Sequence, residues 1–457
     1  MTSRSVAVAD GPISLAAELA RHGHAVSLLL SRAPGGDESR AASQAGLEIR
    51  VAPELDVVPV SPWLAAGYRL YRALRGSRYD AVVFESRGGS AYCAARAKQV
   101  GVDFETTSIV IRAGESAVGS VGDNVFLSKH AVGELVTEIL AHELADAVVA
   151  GEPLEWADAL APSQPKETSA EPEGLVTVVV PFHERTAFLP SCLEALARQT
   201  YRTLEVVVAD DGSESADAEE CLAALGRRTW PWPLRVLRLP HGGVAAARNA
   251  GFAAASGEEV VFVDDDDLPF EELVAVLVRA RRVASVDIVA AGARVFHGEG
   301  EPLARPGDKI TISFGEPREL GLLGNHYGHP TCLWPLRLLE QLGGFRELAV
   351  GEDWELLARA ALAGARIAAV PDPLFWYRHA PGSRYTAVPV GRRETGRAHV
   401  AELYARTLPD HARLLPHIVA GAYEELERRQ RGVPLPRTTS PASLLRRLTG
   451  RRYDRPS

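Results

Sequence analysis

The chain has little sulfur. Its four cysteines, Cys93, Cys192, Cys221 and Cys332, are scattered over 457 residues and form no CxxC pair. That argues against a disulfide framework or a zinc site and for a reducing, cytoplasmic setting. Nor does the sequence contain an apolar stretch approaching the roughly 20 residues of a membrane span. The opening MTSRSVAVADGPIS lacks the apolar core of a signal peptide. Asp10-Gly11 is no GxGxxG, so a dinucleotide site is unsupported. Net charge is −9, which excludes a general polyanion binder and gives no reason to expect nucleic acid as a partner. What remains, at 46% hydrophobic and 24% charged, is ordinary globular composition with length for roughly two or three domains.

The most pointed stretch is Val260-Val261-Phe262-Val263 followed by Asp264-Asp265-Asp266-Asp267. The apolar run reads as a buried strand. Its acids then fall at the carboxyl end, where open α/β sheets bind ligands. Four adjacent carboxylates repel one another and call for a cation. Mg²⁺ or Mn²⁺, hard ions that share their shell with substrate phosphates, suit such a tip. A solvated acidic turn is the plainer alternative.

Around this tip the chain alternates strand and helix. Residues 5–9, 25–30, 79–85, 107–111 and 146–150 read as strands, with helices at 13–22, 90–99 and 131–144. Alternation of this kind predicts a parallel sheet covered by helices on both faces. Residues 161–174, rich in Pro, Ser and charge, read as a linker. After it the rhythm restarts with strands at 175–180, 204–209 and 234–237 and an Ala-rich helix at 244–255. The expected organisation is therefore a Rossmann-like domain at 1–160, a linker at 161–174, a second α/β domain at 175–395 and a helical, basic tail at 396–457. The tail segment Leu444–Arg452 is basic and partly apolar, which suits peripheral contact with the inner face of an anionic membrane, or a frayed solvated end.

The segment Leu15–Val26 (LAAELARHGHAV) together with Asp146–Ala150 (DAVVA) resembles the N-terminal half of GT-B glycosyltransferases. No second Rossmann half follows, so this domain is expected to dock, stabilise or recognise rather than do chemistry. The second domain resembles family 2 glycosyltransferases. The segments that carry the likeness are VTVVVPFHER, LARQTYRTLEVVVADDGS, GGVAAARNAGFAAASGEEVVFVDDDD, GEDWELLARAALAG and FWYRHAPGS, over about residues 175–384.

That resemblance implies a GT-A nucleotide-diphospho-sugar transferase fold and an inverting transfer from a UDP- or dTDP-type donor to a hydroxyl acceptor. The acceptor's identity, whether glycan, lipid-linked sugar or small molecule, stays open. It implies roles residue by residue. Pro181, Glu184, Asp211, Arg248 and Asp264 lie on the donor side, with Asp211 receiving the imide N–H of a pyrimidine. Asp264 and Asp266 form the DxD that holds Mn²⁺ or Mg²⁺, and His379 matches a third ligand in some members. Asp353 is the base that activates the acceptor. Glu184 and His241 stand where the family usually has other polar residues, which puts nucleotide preference in doubt. Each acid also has a plainer role: Asp211 in a turn, Glu352 and Asp353 at a helix start, Asp267 as a helix cap. Trp334, Trp354 and Trp376 offer sugar platforms or core aromatics. A degenerate transferase that binds a glycan or a partner without catalysis is the rival expectation.

Overall fold

The computed structural model describes residues 3–114, 129–165, 174–315, 318–322, 324–379, 390–408, 416 and 419. The linker core, the segment after His379 and the basic stretch Leu444–Arg452 lie outside the described residues.

The first half contains β1 (Ser5–Ala9), α1 (Ile13–Arg21), β2 (Ala25–Leu30), α2 (Gly36–Gln44), β3 (Ile49–Val51), β4 (Val57–Pro59), α3 (Ala65–Leu74), β5 (Ala81–Glu85), α4 (Tyr92–Gln99), β6 (Ser108–Arg112), α5 (Lys129–Leu144) and β7 (Ala147–Val149). All but β4 join one sheet in the order β3-β2-β1-β5-β6-β7, every pair parallel. Among its own strands this is the 3-2-1-4-5-6 order of a doubly wound Rossmann sheet. The central strands are apolar throughout: Val6 to Ala9 and Ala81 to Phe84 are fully buried, as strands covered on both faces must be.

The second half contains β8 (Val176–Phe182), α6 (Leu189–Ala197), β9 (Leu204–Asp210), α7 (Ala216–Arg227), β10 (Leu234–Arg238), α8 (Val244–Ala253), β11 (Glu259–Phe262), β12 (Leu268–Pro269), α9 (Leu273–Ala284), β13 (Ile288–His297), β14 (Asp308–Thr311), β15 (Cys332–Pro335), α10 (Leu336–Leu342), α11 (Glu352–Leu362) and β16 (Ile367–His379). A last helix spans Val390–Arg406. The sheet runs β10-β9-β8-β11-β15-β13-β14-β4, with β16 beside β13 and β12. Strands β10, β9, β8 and β11 are parallel, and β15 enters antiparallel between β11 and β13. The carboxyl ends of β8, β9 and β11 therefore open on one side.

Helix α8 is held unusually close to this sheet. A Cβ on Gly251 would come within 2.2 Å of Val179 Cγ1 on β8, so only glycine permits the approach. Arg248 lies three residues earlier, on the same helix face, and is thereby pressed under the strand tips.

One strand crosses between the halves. β4 belongs to the first half by sequence but pairs in parallel with β14 of the second, Val57 opposite Asp308 and Pro59 opposite Ile310. Behind it, Tyr68, Tyr71, Tyr92 and Phe104 share a core with Ile310, Ile312, Phe314 and Leu320. Buried Arg96 donates to the Phe314 carbonyl at 2.9 Å. Asp372, on β16, receives the hydroxyls of Tyr68 and Tyr71 and pairs with Arg75 at 3.1 Å. The sheet boundary thus departs from the boundary suggested by composition at 161–174. A three-residue strand that ends in a proline gives no periodic signal to read, and only its long-range partner identifies it.

Removing Asp372 takes the partner of the buried Tyr71 hydroxyl, while Tyr68 keeps Arg72 and half-exposed Arg75 keeps Asp103. Asp372→Ala is expected to lower the free energy of unfolding in urea by about 2 kcal/mol. Glu105→Ala, which deletes only the exposed pair with Arg279, should change it by less than about 1 kcal/mol.

Candidate active site

The loops that leave β8, β9, β10 and β11 and the start of α11 face one cleft. Its centre is Arg248, which is 2% exposed. Arg248 Nη2 donates to Asp264 Oδ1 at 2.6 Å and Nη1 donates to Glu352 Oε1 at 2.9 Å. Its guanidinium lies 5.3 Å from the centre of the Phe345 ring. Burial opposes its charge, yet Asp264 and Glu352 raise its pKa further. The residue therefore ties the acidic strand tip to α11.

Asp265, fully buried, is gripped by Arg185, whose Nε donates to Oδ2 at 3.2 Å and whose Nη2 donates to Oδ1. Arg185 Nη1 also reaches Asp266. Asp267 Oδ1 accepts the Arg378 amide at 3.0 Å, and Arg378 Nε donates to the Asp266 carbonyl at 3.0 Å. Asp267 therefore fastens β16 to the tip and does not cap a helix: α9 starts at Leu273, preceded by Glu272. Burial pushes the carboxyls of Asp265, Asp266 and Asp267 upward; mutual repulsion adds to it, against the pull of Arg185.

At the other side Gly351, with φ +83°, turns the chain into α11, so that Glu352 and Asp353 occupy its first turn. Carboxylates suit that end of a helix dipole. Asp353 Oδ2 accepts from Asn325 Nδ2 at 2.8 Å. Burial, and next the charge of Glu352, pushes the Asp353 carboxyl up to about 6. Nearby His329 is half-buried in the wall of the cavity that Asp353 also lines, its Nε2 2.8 Å from Thr311 Oγ1, and burial lowers its pKa to about 4.

On the β9 side Asp211 is buried, and its carboxylate is occupied. Gly242 and Gly243 donate their amides to Oδ1 at 2.7 and 3.1 Å, Gly243 also reaches Oδ2 at 2.9 Å, and His241 Nδ1 lies 3.0 Å from Oδ2. His241 stacks on His183 with ring centres 4.6 Å apart. These two imidazoles and Asp211 bring ligand atoms within 4.8 Å of one another, a second grouping able to hold a cation. Glu184 turns away from the strand tips: at φ +59° its Oε1 accepts the amides of Glu214 and Ser215 at 2.6 and 3.1 Å, next to α7. Pro181 is buried within β8 opposite Ala209. His379 ends β16, its ring centre 5.1 Å from that of His297.

Hydrogen bonds thus link Asp264 through Arg248 to Glu352, the neighbour of Asp353 in α11, while Asp266 is held by Arg185 and Asp211 lies at the end of β9. Trp334 and Trp354 are core residues, and Trp376 packs edge-on to Phe270 and Phe296. Sequence reasoning passed over Arg185, although it stands in the VTVVVPFHER segment, because a surface-type residue gives no hint of the buried carboxylate it meets. Asn325 and Trp63 carry no sequence signal. Both line a cavity of about 620 Å³ with Asp353, and Trp63 comes from the first half of the chain.

Six carboxylates, Asp264 to Asp267, Glu352 and Asp353, face three guanidinium groups, Arg185, Arg248 and Arg378. That surplus of hard oxygen donors, with the raised pKa of the buried ones, fits a divalent cation.

Residues 177–339 match the family described as glycosyl transferase family 2. The glycosyltransferase GlyA of Streptococcus pneumoniae is 29% identical over 224 residues, which are 46% of this chain and 31% of GlyA. The succinoglycan biosynthesis protein ExoO of Rhizobium meliloti is 30% identical over 220 residues, 46% of this chain and 62% of ExoO. The chain thus spans less than two thirds of either relative's length. Among solved structures, S. aureus TarS in complex with UDP-GlcNAc superposes with a TM-score of 0.42 at 21% identity, over 56% of this chain and 72% of that one. The matched residues include Asp211, Arg248 and Asp264 to Asp267, while Glu352, Asp353 and Arg378 lie beyond them; residues 177–339 thus match a family 2 glycosyltransferase domain.

Proposed function

We propose that the chain is an inverting, metal-dependent glycosyltransferase that moves a sugar from a nucleoside diphosphate to a hydroxyl acceptor. One observation carries the reading: Arg248 bonds both Asp264 and Glu352, so the acidic tip and the helix bearing Asp353 share one cleft. Asp264 and Asp266 would hold Mn²⁺ or Mg²⁺, with His379 joining them on the family resemblance. A divalent ion there neutralises charge on the departing diphosphate. Asp353 takes the proton of the acceptor hydroxyl as its oxygen attacks the anomeric carbon. Asn325 donates to Oδ2 and helps to orient the carboxylate toward the acceptor. A UDP- or dTDP-type base is expected at Asp211, where its imide N–H takes the place of His241 Nδ1. Arg185 and Arg248 lie beside the acids that face the diphosphate and offset part of their charge.

The four cysteines are unpaired, in keeping with action in the reducing cytoplasm. Among the described residues no helix is long and apolar enough to cross a membrane. A peripheral contact through the basic tail rests on its composition.

Asp353→Asn is expected to reduce turnover by 10³-fold or more, with UDP binding in Mn²⁺ measured by calorimetry within about threefold of wild type. Normal turnover in that variant rejects the base assignment. Silence of the wild type across a panel of UDP-, dTDP- and GDP-sugars with Mn²⁺ favours the non-catalytic, glycan- or partner-binding reading instead. Asp266→Asn should raise the Mn²⁺ concentration for half-maximal rate at least about tenfold.

The raised pKa of Asp353 makes stability and activity depend on pH in opposite directions. The folded value, about 6, exceeds the ordinary 3.8. The folded state therefore holds its proton more tightly, and this group's contribution to stability falls as pH rises from about 4 to about 6. Catalysis needs the ionised form, so kcat/KM should drop about tenfold per unit below pH 6. The metal-free Asp353→Asn protein should be more stable than wild type at pH 8, by about 1–2 kcal/mol in urea unfolding.

A further inference from the structure

The cavity above Asp353 is not built by the transferase domain alone. Its walls include Val60, Ser61, Pro62 and Trp63, which follow β4 in the first half of the chain, and its opposite side includes Asn325 and His326. The four residues are held in place at both ends. Before them, β4 lies in the second sheet beside β14, and the Val60 amide donates to the Ile310 carbonyl at 2.8 Å. After them, a turn of helix closes with the Leu64 amide donating to the Ser61 carbonyl at 3.0 Å, and Leu64 is buried in the core shared by the two halves. A rigid segment of the Rossmann-like half therefore stands across the cavity from the transferase loops.

Resting on the transferase reading, we propose that Val60–Trp63 forms one wall of the acceptor site and that the acceptor presents an uncharged saccharide end. Three features support this. A hydroxyl reaches Asp353 through this space, since Asp353 is one of its lining residues. The volume, about 620 Å³, lies within the ~300–1,000 Å³ of small-molecule sites and admits a sugar-sized ligand. The lining chemistry is that of carbohydrate recognition: an indole and a proline ring for apolar sugar faces, and the Ser61 and Ser313 hydroxyls, the Asn325 amide and the His326 ring for sugar hydroxyls. Among the described lining residues there is no lysine or arginine, and Asp353 is an acid. A phosphate or uronate at this position would meet the like charge of Asp353 with no guanidinium or ammonium among the described lining residues, which disfavours an anionic acceptor end.

The test uses the full chain with Mn²⁺, the donor found in the panel above, and two acceptor sets: neutral hexose-terminated oligosaccharides and their uronate- or phosphate-terminated counterparts. Wild type is expected to transfer to neutral ends. Trp63→Ala should raise the acceptor KM at least tenfold, with UDP affinity by calorimetry within about twofold, and Trp63→Phe should recover most of the loss. Ser61→Arg, which puts a guanidinium into the wall, should shift preference toward the anionic set at least tenfold. An unchanged acceptor KM in Trp63→Ala, or a wild-type preference for anionic ends, overturns the proposal while transfer itself persists. Loss of UDP affinity in parallel with acceptor affinity also overturns it, because the effect would then be general misfolding. A wild type that transfers to no acceptor and releases no nucleoside diphosphate defeats the transferase reading instead.

Discussion

The arrangement depends on one buried cation. Arg248 sits at 2% exposure between Asp264 and Glu352. A guanidinium is suited to this because its planar fork serves two carboxylates at once and keeps its charge when desolvated. Without it, half-buried Asp264 and buried Glu352 would face each other unneutralised. With it, the tip of β11 and the first turn of α11 are held at a set spacing, although they lie nearly ninety residues apart in sequence. The glycine that lets α8 approach β8 is part of the same device, since it decides how deep Arg248 can sit.

The remaining acids are organised by the same logic at different depths. Asp265 is fully buried and taken up by Arg185, and Asp267 by the backbone of β16, so neither is at liberty. Asp264 and Asp266 are each touched by one guanidinium and keep part of their surface. Alternate acids thus serve the fold while the intervening ones face the cleft. Such a cluster is costly in an empty protein, because burial and mutual repulsion work against ionisation. Ground-state cost of this kind is expected where charge is kept ready for a cationic or phosphate-bearing ligand.

The Rossmann-like half takes part in this architecture. It lends β4 to the second sheet, buries three tyrosines against it and ends the shared contact in the ion-paired Asp372. The second sheet, extended by a strand from the first half, gains a wall that its own loops do not supply. In this way residues of the first half come to line the cavity that Asp353 also lines.

Much of this was legible in the residues. Apolar runs such as Val176–Val180 and Val6–Ala9 specify buried parallel strands because a strand covered on both faces has no polar alternative. The position of the acids at the end of such a run placed Asp264 and Asp266 at a strand tip. Glu352 and Asp353 marked a helix start because carboxylates favour that end of the dipole. Local preference did not reveal what each acid meets. Asp267 reads equally well as a cap or a clamp, Glu184 as a donor contact or a loop tie, and Trp376 as a platform or a core residue. The choice depends on groups brought from elsewhere in the chain. The crossing of β4, the grip of Arg185 and the place of Trp63 beside Asp353 are long-range pairings. Chain periodicity carries no record of these, and only the packed tertiary structure decided them.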